Sequence, residues 1–190
     1  MSSTWKRAST TVWQYGGDIL RAERMQEEKR FLQHGKVSVY RHSVRVACTA
    51  VYLAKRFGIS VNLRALVRGA LLHDYFLYDW HVPDKNHRLH GFTHARKALK
   101  NARRDFELGA IEQDIIAKHM FPLNLAPPRY RESVLVCLAD KLSAAAETAG
   151  VRAGAKRSNK AANLIGKAAN GTGSDRVSIL EKPVSSALPV

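Results

Sequence analysis

The sequence predicts an all-α protein. In the central region, apolar residues recur every three to four positions, which is the repeat of one face of an α-helix. No stretch shows the strict alternation of apolar and polar residues that is typical of half-buried strands. With 190 residues, 45% of them hydrophobic, the chain is long enough to bury a sizeable core. We expect a helical extension over residues 1–30, one helical domain over 31–149 and a basic, disordered tail over 150–190.

Two core helices are predicted in the first half of the domain. The first ends at Gly58, because glycine readily adopts the left-handed conformation that terminates helices. Asn62 is expected to cap the second helix. Their apolar stripes are Val44, Ala47, Cys48, Val51 and Ala54 in the first, and Leu63, Leu66, Val67, Ala70 and Leu71 in the second. A loop around Pro83 is expected to follow.

Three more helices are predicted after that loop. Thr93 is expected to cap a helix over residues 94–104. The next helix carries Leu108, Ile111, Ile115 and Ile116, and it ends before Pro122. The last helix is expected to begin at about Arg131, and its apolar residues are Val134, Leu135, Cys137 and Leu138.

The charge balance favours anionic partners. Lysine and arginine total 31 against 16 acidic residues, a formal net charge of +15. Such a chain attracts nucleotides or nucleic acid, and weak nucleic-acid contact through the basic tail is expected. No apolar run approaches the roughly 18 residues of a membrane span, so no membrane insertion is expected. The two cysteines fall within helical patterns, and no signal peptide is visible, so we expect buried thiols in a cytoplasmic protein.

Histidines and aspartates continue the apolar stripes. Such side chains are costly to bury unless something pairs with them, and six of them lie on five predicted helices: His42, His73, Asp74, His94, His119 and Asp140. Imidazole and carboxylate are ligands of Fe, Mn, Zn or Ni, while the lack of thiolates argues against structural zinc. Any one of them alone could be an ordinary core residue. Six together favour a metal site, and Asp74 could bridge two ions.

The local sequence around these residues resembles the HD superfamily of metal-dependent phosphohydrolases. Residues 40–47 resemble the first histidine helix of that family, residues 69–74 its His-Asp doublet, and residues 138–142 its closing aspartate. The resemblance covers about residues 31–148. It implies a single HD-domain helical bundle with a metal site in its core.

The same resemblance implies a role for each ligand. Members with two histidines between the doublet and the last aspartate hold two ions, as in the diadenosine tetraphosphate hydrolase branch and the cyclic-dinucleotide phosphodiesterases. On that pattern one ion is held by His42, His73, Asp74 and Asp140, and the second by His94 and His119, with Asp74 bridging. His94 is preferred to His90 because a small residue, Ala98, follows it four positions later.

Two features leave the branch of the family open. Leu77 stands where members of both branches usually carry a lysine, three residues after the aspartate of the doublet. The Gly-Tyr-Pro signature of the cyclic-dinucleotide branch is missing.

The activity implied is hydrolysis of a phosphoester or phosphoanhydride of a nucleotide-like substrate by a metal-activated water. Two divalent ions are expected, drawn from Fe, Mn, Zn, Ni or Mg. Asp74 and Lys141 are the catalytic candidates, and Lys141 is either a phosphate contact or a solvated lysine. The basic residues between 96 and 104 either attract an anionic substrate or form an ordinary exposed helix surface.

Two other functions fit the same residues. Some oxygenases of this fold are similar, with the same six ligands around a mixed-valent di-iron centre. Alternatively, the chain is a polyanion-binding module in which the basic tail binds nucleic acid and the metal is structural.

Overall fold

The computed structural model describes residues 3–34, 37–80 and 90–149 and confirms the all-α class. The first elements are α1 (Ser3–Arg21), α2 (Glu23–Glu27), β1 (Leu32–His34), β2 (Val37–Ser38) and α3 (Val39–Arg56). They are followed by α4 (Leu63–Leu72), α5 (His90–Asp105), α6 (Ala110–Lys118) and α7 (Arg131–Thr148). The predicted tail over 150–190 and the loop around Pro83 lie outside the described residues.

The sequence analysis missed the strands β1 and β2. They pair antiparallel, with Leu32 opposite Ser38 and His34 opposite Val37. Strands of three and two residues are too short to show an alternating pattern, so the tertiary structure alone reveals them. The hairpin is followed directly by α3, whose first turn is capped by Ser38 through a hydrogen bond from the backbone N–H of Arg41.

Local signals placed most of the predicted helix boundaries correctly, including the start of α7 at Arg131, but not the start of α5. Asn62 caps α4 by accepting a 3.0 Å hydrogen bond from the backbone N–H of Ala65. Gly58, with φ of 64°, follows the end of α3. However, α5 begins at His90, so Thr93 lies inside the helix and is not its cap. The glycine at position 91 is tolerated there because it lies in the first turn, where few backbone hydrogen bonds depend on it.

The core is formed where α3 and α4 pack against each other. α7 lies against α3, α6 packs on both α4 and α7, and α5 packs on α6. α1 shares this core, because Val12, Ile19 and Leu20 are fully buried and the helix contacts α3 and α4. The domain boundary at residue 31 stays a prediction.

One glycine sets the distance between α4 and α6. A Cβ atom on Gly69 would lie 2.5 Å from Cδ1 and 2.9 Å from Cβ of Ile115. The two helices therefore approach closely at this point, just before the residues that end them. No helix within the described residues has the length and apolar character needed to cross a lipid bilayer.

Candidate metal centre

The structure brings all six predicted ligands together in the core. His42 lies on α3, His94 on α5 and Asp140 on α7, while His73, Asp74 and His119 directly follow α4 and α6. The four imidazoles and Asp74 are buried, and the side chain of Asp140 is 13% exposed. The ligand atoms form two groups, each lying within 4.8 Å of one another: His42, His73 and Asp140 in the first group, and Asp74, His94 and His119 in the second. Each group could hold one metal ion.

Two of the histidines are positioned by helix ends. His73 is the C-terminal cap of α4 and His119 that of α6. The Nδ1–H of His73 donates to the backbone oxygen of Ala70 over 2.8 Å, and that of His119 donates to Ile116 over 2.9 Å. A carbonyl oxygen only accepts, so both rings carry a proton on Nδ1, and their Nε2 atoms face the cluster. The negative ends of both helix dipoles also lie here, which favours cations.

Asp74 lies between the two groups. Its Oδ1 is 3.3 Å from Nε2 of His94 and 3.4 Å from Nε2 of His119. Its Oδ2 is 3.3 Å from Nε2 of His73 and 3.9 Å from Nε2 of His42. Each carboxylate oxygen therefore faces a different group, which is the arrangement that a bridging ligand needs.

Short distances and unpaired atoms in the cluster fit bound cations. Nε2 of His94 lies 2.9 Å from Nε2 of His119. Nε2 of His73 and Oδ1 of Asp74 are buried and make no hydrogen bond with the described residues. Unpaired buried polar atoms are costly, and ions bound by these nitrogen and oxygen atoms would remove that cost. Four imidazoles suit Fe, Mn, Zn or Ni better than Mg, which prefers oxygen ligands.

The electrostatics of the cluster keep both carboxylates ionised. Burial alone would raise the pKa of Asp74, but the neighbouring His73 and the other imidazoles outweigh burial and hold it well below its usual range. The pKa of Asp140 is likewise lowered, because His42 and His73 outweigh its burial. Burial would lower the pKa of His42, but Asp140 and Glu147 raise it to about 9. The pKa of His119 is lowered, mainly by burial, which favours the neutral imidazole that binds metals.

Two buried residues that sequence reasoning missed contact the ligands. Gln33, on β1, donates from Nε2 to Oδ2 of Asp74 over 2.6 Å. Oε2 of Glu147 lies 2.9 Å from Nδ1 of His42. Glu147 could have been found, since it follows Asp140 by seven residues, or two helical turns, on the same face of α7. Gln33 carries no comparable signal, because its short strand has no visible pattern.

Lys141 lies at the edge of this centre. Its Nζ donates to the backbone oxygens of His119, over 3.2 Å, and Cys137, over 3.4 Å. The side chain is exposed and lines the cavity beside the cluster. Its catalytic role, like that of Asp74, stays a prediction. The side chain of His90 lies outside what the structure describes, so the choice of His94 depends on the contacts of His94 with Asp74 and His119.

A cavity of about 430 Å³ opens onto the cluster. Its lining includes four residues of the cluster: Asp74, His94, His119 and Asp140. It also includes the apolar side chains of Trp80, Met120, Leu123 and Ala144. The volume lies within the range of about 300–1,000 Å³ that is usual for small-molecule sites.

Comparison with known proteins adds one match. A family model for the HD domain matches residues 39–145, more than half of the chain. The matched segment begins with the first residue of α3, ends within α7 and contains all six cluster residues. No curated protein and no solved structure matches the chain.

Proposed function

This chain belongs to the HD domain family, whose members are generally metal-dependent hydrolases, and on that premise we propose that it is a phosphohydrolase with two metal ions. Its substrate is a nucleotide-like phosphoester or phosphoanhydride. The observation that carries the proposal is Asp74, whose two oxygens face two separate groups of buried imidazoles at the side of an open cavity.

The six cluster residues would hold the divalent ions, which when bound would supply a water of lowered pKa and positive charge for the phosphoryl oxygens. The protein supplies the ligands in a fixed arrangement, because His73 and His119 are held by backbone carbonyls at the helix ends. Gln33 holds Oδ2 of Asp74 in place through its 2.6 Å hydrogen bond. Serine or cysteine nucleophiles are not required for this chemistry.

The walls of the cavity support a ligand with an anionic and an apolar part. The phosphate would lie against the cluster, where the Nζ of Lys141 provides a positive charge at the cavity edge. The base or another apolar group would pack on Trp80, Met120 and Leu123. The net charge of +15 favours encounter with such an anion.

The test combines metal analysis with a panel of substrates. Purified protein is expected to contain two ions per chain and to release phosphate or a nucleotide from members of a panel of nucleotides and dinucleoside polyphosphates. His73→Ala should lose bound metal and more than about 100-fold of the activity, because a direct ligand is removed. Mass spectrometry measures the metal, and anaerobic phosphate release measures the activity.

Leu125→Ala is the control, because it introduces an alanine at a residue that is 88% exposed and lies outside the cluster. It should keep both ions and full activity. Two retained ions in the His73→Ala variant would refute the assigned site. Consumption of O₂ with no phosphate released would favour an iron oxygenase over the hydrolase. Polyanion binding that disappears on deletion of residues 150–190, in a protein without turnover, would favour a binding module.

A further inference from the structure

Glu147 is a buried acid at an unfavourable position in its helix. It lies in the last turn of α7, where the helix dipole disfavours negative charge, and its side chain is only 1% exposed. A residue that violates a local rule needs compensation from its surroundings. Here the compensation comes from α3, through His42 and Arg45.

The contact with His42 is the shorter one. Oε2 of Glu147 lies 2.9 Å from Nδ1 of His42, and Oε1 lies 3.4 Å from Nη1 of Arg45. In this contact the Nδ1–H of His42 donates and a carboxylate oxygen of Glu147 accepts. The opposite ring nitrogen, Nε2, faces Asp140 over 3.0 Å. The orientation of the ring is therefore set from one side by Glu147.

We propose that Glu147 is a positioning residue, which holds the Nδ1–H of His42 so that Nε2 is presented to the ion bound by His42, His73 and Asp140. His73 and His119 use backbone carbonyls for the same purpose. His42 lies within α3 and is held by a carboxylate from α7 instead. Outer carboxylates of this kind orient a histidine ligand and raise its basicity. The inference depends on one part of the proposed function, namely that the six residues bind metal ions, and not on the hydrolysis of phosphate compounds.

The arrangement also predicts which ion depends on Glu147. The first group of ligands contains His42, whereas the second group consists of Asp74, His94 and His119. Loss of the carboxylate should therefore weaken one of two bound ions and leave the other unchanged. A general loss of packing, by contrast, would weaken the binding of both ions.

The experiment is a titration of metal-free protein with Co²⁺, followed by its visible absorption, on Glu147→Gln. Glutamine keeps the size of the side chain and removes the charge. Wild-type protein is expected to bind two ions, and the variant to bind one with unchanged affinity and the other about 10- to 100-fold more weakly. Under saturating metal, kcat should fall while KM stays within about twofold, because Glu147 contacts a ligand of the metal and is absent from the cavity lining.

Glu132→Gln is the matched control. Glu132 is a buried glutamate of the same helix that accepts a 2.7 Å hydrogen bond from the backbone N–H of Asn62. This control should keep both ions at wild-type affinity. The proposal would be overturned if Glu147→Gln bound both ions with wild-type affinity. It would also be overturned if Glu147→Gln and Glu132→Gln both bound the two ions more weakly, by the same factor. Should Glu147→Gln not fold, Glu147→Asp replaces it, with the same selective weakening expected.

The two proposals can fail separately. A wild-type protein that binds two Co²⁺ ions and cleaves no phosphate compound would refute the hydrolase, while the selective loss in Glu147→Gln would still support the positioning role.

Discussion

Buried ionisable side chains form the candidate metal centre, and another of them, Glu28, bears on the stability of the folded chain. Both aspartates of the cluster have imidazole nitrogens within 3.3 Å. Glu28 lacks such a partner within the described residues: its Oε1 accepts the backbone N–H of Leu77 over 3.0 Å, and its Oε2 is buried and unpaired. Leu77 has a φ of 62°, a conformation that non-glycine residues adopt at some cost. Glu28 thus supports the segment that follows the His-Asp doublet.

The pH dependence of stability should reveal Glu28. Burial is the main cause that raises its pKa to about 8 in the folded protein, against an ordinary value of 4.5. As pH rises between these two values, the unfolded chain releases the proton while the folded protein keeps it, so the contribution of Glu28 to stability is lost. Glu28→Gln removes this titration and keeps an acceptor for Leu77. It should be more stable than wild type at pH 8 by more than about 1 kcal/mol, since one pKa unit corresponds to about 1.4 kcal/mol.

Urea unfolding of the metal-free proteins at pH 5 and pH 8 measures this difference. The cluster is common to both proteins, and burial, not the charges of Asp74 and His73, is the largest cause of the raised pKa of Glu28. A difference in unfolding free energy that stays constant between the two pH values would show that Glu28 does not titrate in this range.

At the level of elements, the metal centre depends on how closely helices approach. α4 and α6 each end in a histidine whose ring faces the other, with ring centroids 4.9 Å apart in an edge-to-face arrangement. Gly69 permits this approach, because any side chain there would meet Ile115. α5 also presents small residues to the core, since Ala98 and Ala102, four and eight positions after His94, are fully buried.

Gly69→Ala should separate α4 from α6. The added Cβ would lie 2.9 Å from Cβ of Ile115, so the clash involves the base of the side chain and is not relieved by rotation. The clash should lower the free energy of unfolding by about 1–3 kcal/mol. Replacing a glycine within a helix should offset about 1 kcal/mol of that loss. Metal affinity should fall as well. Thermal unfolding and Co²⁺ titration provide the measurements.

Gly17→Ala in α1 is the control for helix propensity. A Cβ there would have its nearest neighbour at 3.7 Å, which is ordinary contact, so this variant should be stabilised and bind metal normally. Equal stabilisation of both variants would show that the α4–α6 contact relaxes without cost.

For the whole molecule, bound metal should be a large contribution to stability. The cluster residues come from α3, α5 and α7 and from the ends of α4 and α6, so ions there would connect five helices of the core. Without cations, the carboxylates and imidazoles compensate one another only in part, since atoms of His73 and Asp74 remain unpaired. An ion that binds the folded protein and not the unfolded chain shifts the folding equilibrium by mass action.

Adding metal to metal-free protein should therefore raise Tm in a concentration-dependent manner. At a free ion concentration 100 times Kd, one bound ion contributes about 2.7 kcal/mol, and in a chain of this size that corresponds to several degrees. Differential scanning calorimetry across a range of Mn²⁺ or Zn²⁺ concentrations measures the shift. The His73→Ala variant should respond much less, and an equal response in that variant would contradict binding at the cluster.

The sequence alone determined the helical class, the stops and caps at Gly58 and Asn62, and the six residues that meet in the core. The helical class and the helix boundaries could be predicted because periodicity and capping depend on nearby residues. The six residues could be predicted because a polar side chain on the apolar face of a helix is visible from the sequence of that helix alone. It also carried the resemblance to the family that the match over residues 39–145 supports.

Only the tertiary structure decided which residues surround the six. Gln33 and Glu147 contact Asp74 and His42 across 41 and 105 positions of the chain, and such pairings depend on how separate elements pack. The same holds for the two groups into which the ligands divide and for the hairpin that precedes α3. Local patterns specify which face of a helix is buried, but the distance and direction of its neighbours arise from the packing of the whole domain.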